Sequence, residues 1–162
     1  HPFPTPSGKI ELFSTKLWKT PMKDFMPPIP RYVAPLEGPE DPLTKRFPLQ
    51  LSGWHSKCRT HTVHDNNLGL RRLDPQKLWI HPEDAAMVTW SLYTMTGGKK
   101  DPAKITDRVA KGVATLSQGT WYTPDENGVD TRGSINVLTS QRPTPFARGN
   151  GQHTNLVEVK KL

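Results

Sequence analysis

Between Lys19 and Lys45, proline recurs at positions 21, 27, 28, 30, 35, 39 and 42. Proline fixes φ and has no N–H to donate, so this stretch is neither helix nor central strand and reads as an extended connector lying over a surface. The constraint reaches further, because the 162 residues include 17 Pro and 12 Gly but only 33% hydrophobic residues. That balance favours short strands joined by loops over long helices. The length is enough for one domain with a real core and too little for two large ones. The chain therefore divides into a Pro-rich lead-in over residues 1–46 and a β domain over residues 47–162. The lead-in is expected to hold one short strand at 10–14, where apolar and polar residues alternate after the turn at Thr5-Pro6-Ser7-Gly8-Lys9.

Within the β domain, alternation predicts strands at 47–52, 78–80, 103–109, 113–116, 135–139 and 156–159. Leu68 to Leu73 reads as a short helical turn. Pro82-Glu83-Asp84-Ala85 opens a helix, with Pro near its first turn and acids at its N-terminus. Many short strands with one or two helices suggest a closed barrel rather than a bundle.

The first of these strands runs into Gly53-Trp54-His55-Ser56-Lys57-Cys58-Arg59-Thr60-His61-Thr62-Val63-His64-Asp65-Asn66-Asn67. Few chains that need only to fold crowd so many hydrogen-bond donors just past a strand. Three His could ligate a metal, but no second cluster of Cys, Asp or Glu at ligand spacing completes a site. His55, Ser56, Arg59, Thr60 and His61 make better anion donors, since Arg offers a planar fork to phosphate and hydroxyls add further bonds. Asn66 and Asn67 suit a base edge, or simply a turn. Asp84 either accepts from a guanine edge or charges its helix terminus. In Gln118-Gly119-Thr120-Trp121 the Gly lets backbone approach a flat ring, although Trp121 could serve only to fill the core. The segment Gly149-Asn150-Gly151-Gln152-His153-Thr154-Asn155 is a third polar loop abutting a strand. Three loops of one character at strand ends suggest a single ligand surface. No nucleophile–base pair or paired carboxylates stand out, so no catalytic residue is assigned.

The formal net charge of +7 suits an anionic partner. A single Cys58 excludes an internal disulfide and a Cys-rich metal site. No run approaches the ~20 apolar residues of a membrane span. With no initiator Met and no signal peptide at His1-Pro2-Phe3-Pro4, we read the chain as a piece of a longer polypeptide.

Taken in order, several strings carry a resemblance. They are Thr5-Pro6-Ser7-Gly8-Lys9-Ile10-Glu11, Gly53-Trp54-His55 with Arg59-Thr60-His61-Thr62, Leu78-Trp79-Ile80-His81-Pro82-Glu83-Asp84-Ala85, Gln118-Gly119-Thr120-Trp121-Tyr122, Ile135-Asn136-Val137-Leu138-Thr139, and His153-Thr154-Asn155-Leu156-Val157-Glu158. Together they span nearly the whole chain, which resembles the C-terminal molybdopterin-dinucleotide-binding domain of the dimethyl sulfoxide reductase superfamily. The anaerobic, membrane-associated catalytic subunits look most similar.

The resemblance implies a mainly β fold with a few short helices, a double-psi β-barrel of the aspartate-decarboxylase-like type with a six-stranded core. That barrel would close over a molybdenum bis(molybdopterin guanine dinucleotide) cofactor. By motif, His55, Ser56, Arg59 and His61 would line the pyrophosphate and nucleotide, and Asp84 would meet the guanine. Gln118, Gly119, Trp121, His153, Thr154 and Asn155 would sit by a pterin, and Trp54, Thr60, Asn66 and Asn136 join the same cofactor-binding set. The molybdenum ligand and any iron–sulfur cluster would belong to upstream domains of the same subunit, so the fragment alone is expected to be soluble and inactive. The implied partners are those domains, an iron–sulfur electron-transfer subunit and a membrane anchor subunit, with no nucleic acid. The full enzyme would be periplasmic or membrane-associated and would reduce dimethyl sulfoxide or related S- and N-oxides. Alternatives are a thiosulfate, polysulfide, nitrate or formate-type molybdoenzyme, or a basic nucleic-acid-binding β-barrel. The last lacks the repeated aromatic–basic platform of single-strand binders.

The resemblance breaks between Asp84-Ala85 and Ala103-Lys104-Ile105-Thr106. Here the family has an Asn-Gly-Asp turn, a strand and an Asn-Asp-Arg-Gly hairpin, whereas this chain reads Met87-Val88-Thr89-Trp90-Ser91-Leu92-Tyr93-Thr94-Met95-Thr96-Gly97-Gly98. Codons compatible with these residues, read two nucleotides later, give Asn-Gly-Asp-Leu-Val-Ser-Leu-Tyr-Asn-Asp-Arg-Gly. We hypothesise a compensated frameshift that damages the barrel at 86–98, with ordinary loop divergence as the competing reading. Resequencing the DNA across codons 84–102 should find the shifted frame. Codons that cannot encode it leave loop divergence as the explanation.

Overall fold

The computed structural model describes residues 1–87, 92–94, 97–99, 103–145 and 147–159, with backbone alone for 87, 92–94 and 97–99. Two compact units emerge, residues 1–34 with 143–149 and residues 35–142 with 150–162. In the smaller unit, residues 10–14 form no strand, contrary to expectation. Ile10 and Leu12 are exposed, and among the described residues no strand pairs with their backbone. The chain instead enters a one-turn helix, α1 (Thr15–Trp18), capped by the Ser14 hydroxyl, which accepts from Leu17 N.

The larger unit is mainly sheet. Its strands are β1 (Leu49–Trp54), β2 (Leu78–Ile80), β3 (Leu92–Thr94), β4 (Gly97–Lys99), β5 (Ala103–Ile105), β6 (Val113–Ser117) and β7 (Asn155–Val159), with the short helices α2 (Leu68–Leu73) and α3 (Pro82–Met87). The order is β4-β3-β7-β1-β6-β2-β5. The five strands from β7 to β5 form a mixed sheet: β1–β6 and β2–β5 are parallel, while β1–β7 and β2–β6 are antiparallel. The β3–β4 hairpin adds to β7. Of the expected disturbance at 86–98, residues 88–91 and 95–96 lie outside the described residues, 86–87 end α3, and the backbone of 92–94 and 97–98 belongs to this paired hairpin.

Period-two alternation builds the core. Leu49 and Leu51 of β1, Leu78 and Ile80 of β2, Ala114 and Leu116 of β6, and Val157 and Val159 of β7 turn to one face and are buried. Ser52, Trp54, Trp79, Val113 and Thr115 alternate with them along the same strands.

Two expected strands differ from the structure. Residues 135–139 form a 3₁₀ turn (Ile135–Leu138), because Ile135 and Leu138, three apart, both reach the core. The predicted strand 103–109 stops at Ile105, where residues 106–109 turn.

The segment 35–46 belongs to the larger unit. Glu37 is buried; its carboxylate accepts from Leu156 N at 3.1 Å and its carbonyl from Gln50 Nε2 at 3.0 Å. Asp41 caps the following 3₁₀ turn through Leu43 N and pairs with Arg142 at 3.1 Å. The Leu43 amide, with Arg142 and the Glu37 amide assisting, holds the Asp41 carboxyl below its ordinary value of 3.8. A lowered folded-state pKa contributes stability above the unfolded value and loses it as pH falls through the folded one. Asp41→Asn should therefore destabilise at pH 7, with the difference from wild type closing under acid; a pH-independent difference in urea midpoint overturns this. Leu51, with no exposed surface, should cost about 2–5 kcal/mol on replacement by Ala, read from the same urea curves.

Candidate functional site

Strand direction decides where the polar loops meet. β1 and β6 run parallel with Trp54 opposite Ser117, so the loops leaving them start at the same edge, and Gln118 N donates to Trp54 O at 2.8 Å. β7 is antiparallel to β1 and starts at Asn155, opposite Leu51, so the loop entering it opens at that edge too. All three loops singled out from the sequence are thus brought together.

The join is tight at Gly53. A Cβ there would lie 3.2 Å from His153 Nδ1, 3.3 Å from Gln118 Nε2 and 3.2 Å from Ile135 Cδ1. His55 and His61 are exposed beside it, their rings edge-to-face at 5.0 Å. Asn136 is exposed, and Thr154 is half-buried. These side chains offer hydrogen-bond donors and acceptors to a ligand lying across the loop edge.

Beneath the loops lies a buried polar scaffold. Asp65 has no exposed side-chain surface; Arg59 Nη1 approaches it at 3.3 Å, Arg132 Nη2 at 2.6 Å, and Trp121 N donates to it at 2.8 Å. Arg59 Nη2 also donates to Ser117 Oγ at 2.6 Å and to Gln76 Oε1 at 3.0 Å. Gln76 Nε2 then donates to the carbonyls of Ser117 and Gly133, both at 2.8 Å. In the neighbouring loop Asp130, also buried, accepts from the backbone amides of Thr123, Gly133 and Ser134. One carboxylate, Asp65, and the guanidinium groups of Arg59 and Arg132 therefore fasten loops 55–67, 118–123 and 130–134 together.

Several expected binders are bonded within the fold. Arg59, expected as an anion donor, is 8% exposed and paired with Asp65. Ser56 donates to Asp74 Oδ2 while accepting from Cys58 N. Asn67 caps α2 through Gly69 N and Leu70 N, Asn66 is exposed in the turn before it, and Thr60 is exposed while its backbone bridges to Val63. Asp84, 3% exposed, accepts from Gly112 N at 2.7 Å instead of presenting its carboxylate at the loop edge. Glu83 on the same helix meets Lys111 at 2.6 Å, and that contact holds the Glu83 carboxyl below its ordinary range and raises Lys111. Both acids of α3 thus brace the turn that feeds β6.

Asn155 is likewise internal, its Oδ1 accepting from Ser140 N at 3.0 Å. Trp121 fills no core: it is 45% exposed, and its Nε1 donates to Thr62 O at 2.8 Å. Gly119 does permit a close approach, but to protein. A Cβ there would fall 1.6 Å from His61 O, and the Gly119 φ of +89° also favours glycine. His61 itself sits at φ 50° and His64 at φ 72°, each costing roughly 1–2 kcal/mol for a residue with a Cβ.

Sequence reasoning missed Asp65, Gln76, Ser117 and Arg132. Only Asp65 lay within a stretch already marked, and nothing in local spacing separates a buried Asp from its exposed neighbours. Among the described residues, no group of three or more His, Cys, Asp or Glu gathers as a metal site.

A pocket of about 780 Å³ borders the loop edge on the sheet face away from the core. Trp54 and Trp79 lie in it 5.4 Å apart, with His55, Lys57 and Arg108 also lining it. Lys104 and Arg108 stand over the Trp79 ring at 4.0 and 5.3 Å. Trp54 Nε1 is buried without a partner among the described residues.

Comparison with known proteins fits this geometry. Residues 49–156 match the profile of the Molydopterin dinucleotide binding domain. The chain is 43% identical over its whole length to dimethyl sulfoxide reductase DmsA of Haemophilus influenzae, covering 22% of that protein. It is 42% identical to DmsA of Escherichia coli, covering 21%. It therefore spans about a fifth of the length of these relatives. The fold also matches acetylene hydratase from Pelobacter acetylenicus, with a TM-score of 0.72 at 19% identity, over 98% of this chain and 24% of that one.

Removing one partner of a buried ion pair costs about 3–5 kcal/mol, whereas an exposed side chain stays within about 0.5 kcal/mol. Asp65→Ala should therefore unfold at a much lower urea concentration than His55→Ala. Equal midpoints would refute the scaffold role of Asp65. Gly119→Ala should also destabilise, because a Cβ there meets fixed backbone.

Proposed function

The chain belongs to the molybdopterin dinucleotide-binding domain family, and from that premise we propose that its loop edge forms one wall of the cofactor site in a larger molybdenum oxidoreductase. The convergence of Gln118 and His153 over Gly53, beside His55 and His61, carries this reading. These four side chains, with Asn136 and Thr154, would hydrogen-bond a pterin and its pyrophosphate. The adjoining Trp54–Trp79 pocket has the volume for a nucleotide-sized group.

Membership of the family implies a molybdenum bis(molybdopterin guanine dinucleotide) cofactor. When bound, that group supplies the two-electron chemistry of an S-oxide or N-oxide reduction. This chain's contribution is to bind and orient, and to exclude water from the loop edge. Histidine donates or accepts according to its tautomer, and the Gln amide does both, so the set can read the mixed donor–acceptor edge of a pterin. Arg59, Ser56, Asp84 and Asn155 act behind them by fixing the loops.

The fold reading extends to a double-psi β-barrel. Two parallel pairings, β1–β6 and β2–β5, linked through the antiparallel pair β2–β6, support it. The identity to dimethyl sulfoxide reductases supports reduction of dimethyl sulfoxide or a related oxide by the complete protein. Upstream domains would supply the molybdenum ligand, with an iron–sulfur subunit and a membrane anchor as partners in or at the periplasm. No helix of the described residues is long and apolar enough to cross a membrane.

The test is cofactor retention in the complete catalytic subunit. Gln118→Ala combined with His153→Ala should lower the molybdenum and releasable guanine nucleotide per protein several-fold while the fold persists. Unchanged ratios and unchanged oxide reduction would sink the assignment. Saturable, strongly salt-dependent oligonucleotide binding without nucleotide preference would favour a nucleic-acid module instead.

A further inference from the structure

Asparagine followed by glycine is prone to lose its side-chain amide, because no Cβ shields the main-chain nitrogen that attacks it. The chain holds two such pairs, Asn127-Gly128 and Asn150-Gly151, and both asparagines are exposed. Residue type and exposure therefore do not separate them. The bonding of the glycine nitrogen does.

Asn127 lies in a turn held by Asp125. The Asp125 carboxylate accepts from Asn127 N and from Val129 N, each at 2.9 Å, and its carbonyl accepts from Gly128 N at 3.0 Å. The Tyr122 hydroxyl also donates to Gly128 O at 3.0 Å. The nitrogen that would attack Asn127 is thus committed, and its bond must be given up first. Asn150 stands in the polar loop that leads through His153 into β7. Among the described residues Gly151 N finds no hydrogen-bond acceptor. A Cβ at Gly151 would meet nothing nearer than Thr154 Oγ1, at 3.6 Å. This nitrogen is neither held nor crowded.

We propose that Asn150 is a site of spontaneous deamidation, while Asn127 is protected by its turn. Gly151 N attacks Asn150 Cγ to form a succinimide, and the bond from Cγ to the side-chain nitrogen breaks. Ammonia leaves with the proton that Gly151 N gives up. Water then opens the ring, at Cγ to give aspartate or at the main-chain carbonyl to give isoaspartate, and nothing is oxidised or reduced. Either product puts a carboxylate three residues before His153, and isoaspartate also lengthens the main chain there by one carbon. The site goes beyond the cofactor reading and stands whether or not that reading does.

The complete catalytic subunit, incubated at mildly alkaline pH and then digested with trypsin, tests the proposal. Residues 112–132 and 149–160 fall in separate peptides, whose fragment masses read amide-to-carboxylate conversion at Asn127 and Asn150. Conversion at Asn150 should run several-fold faster than at Asn127, with isoaspartate among the products. In urea-unfolded protein the two rates should converge, because the turn around Asn127 is then lost. Asp125→Ala should raise the Asn127 rate several-fold, and Gly151→Ala should slow Asn150 by a similar factor. Equal rates in the folded protein, or a faster rate at Asn127, overturn the proposal. So does an Asn150 that stays intact in the folded protein while converting in urea.

Discussion

The arrangement of the candidate site depends on one buried carboxylate. Asp65 meets two guanidinium groups and a backbone amide from three separate loops, with no solvent to share the charge. Desolvating a carboxylate is costly, and the cost is offset only where several donors converge with good geometry. The convergence therefore works in both directions. Asp65 needs the loops in place, and the loops are in place because Asp65 binds them all. The left-handed backbone at His61 and His64 and the contact between Gly119 and the His61 carbonyl follow from the same closure.

Topology provides the stage for that closure. A parallel pair and an antiparallel pair share β1, and this sends the exits of β1 and β6 and the entrance of β7 to a common edge. The core on one face of these strands is ordinary aliphatic packing. Its opposite face carries Trp54 and Trp79 with cations over the latter ring, a surface suited to an aromatic or anionic group rather than to bulk water.

Much of the sheet was legible in the residues. Strands β1, β2, β6 and β7 follow period-two alternation, and the helix start at Pro82 follows its capping chemistry. The failures share a cause. Ile10 and Leu12 alternate as a strand would but have no ladder to join, and Ile135 alternates with Val137 as in a strand while Ile135 and Leu138 satisfy the three-residue spacing of a 3₁₀ turn. Local pattern specifies which faces a segment offers, and the available neighbours decide which is used. The same applies to Glu37, whose place beside β7 depends on an amide more than a hundred residues away.

By itself the sequence pointed to the family and marked three polar loops at strand ends, because these rest on residue types in order along the chain. Only the tertiary structure sorted those loop residues by task. His55, His61, Gln118 and His153 stay accessible, whereas Arg59, Ser56, Asp84 and Asn155 turn inward to satisfy buried partners. A polar side chain reads the same whether it meets a ligand or a backbone amide. The difference lies in burial and in what stands within about 3 Å, and neither is written in local order.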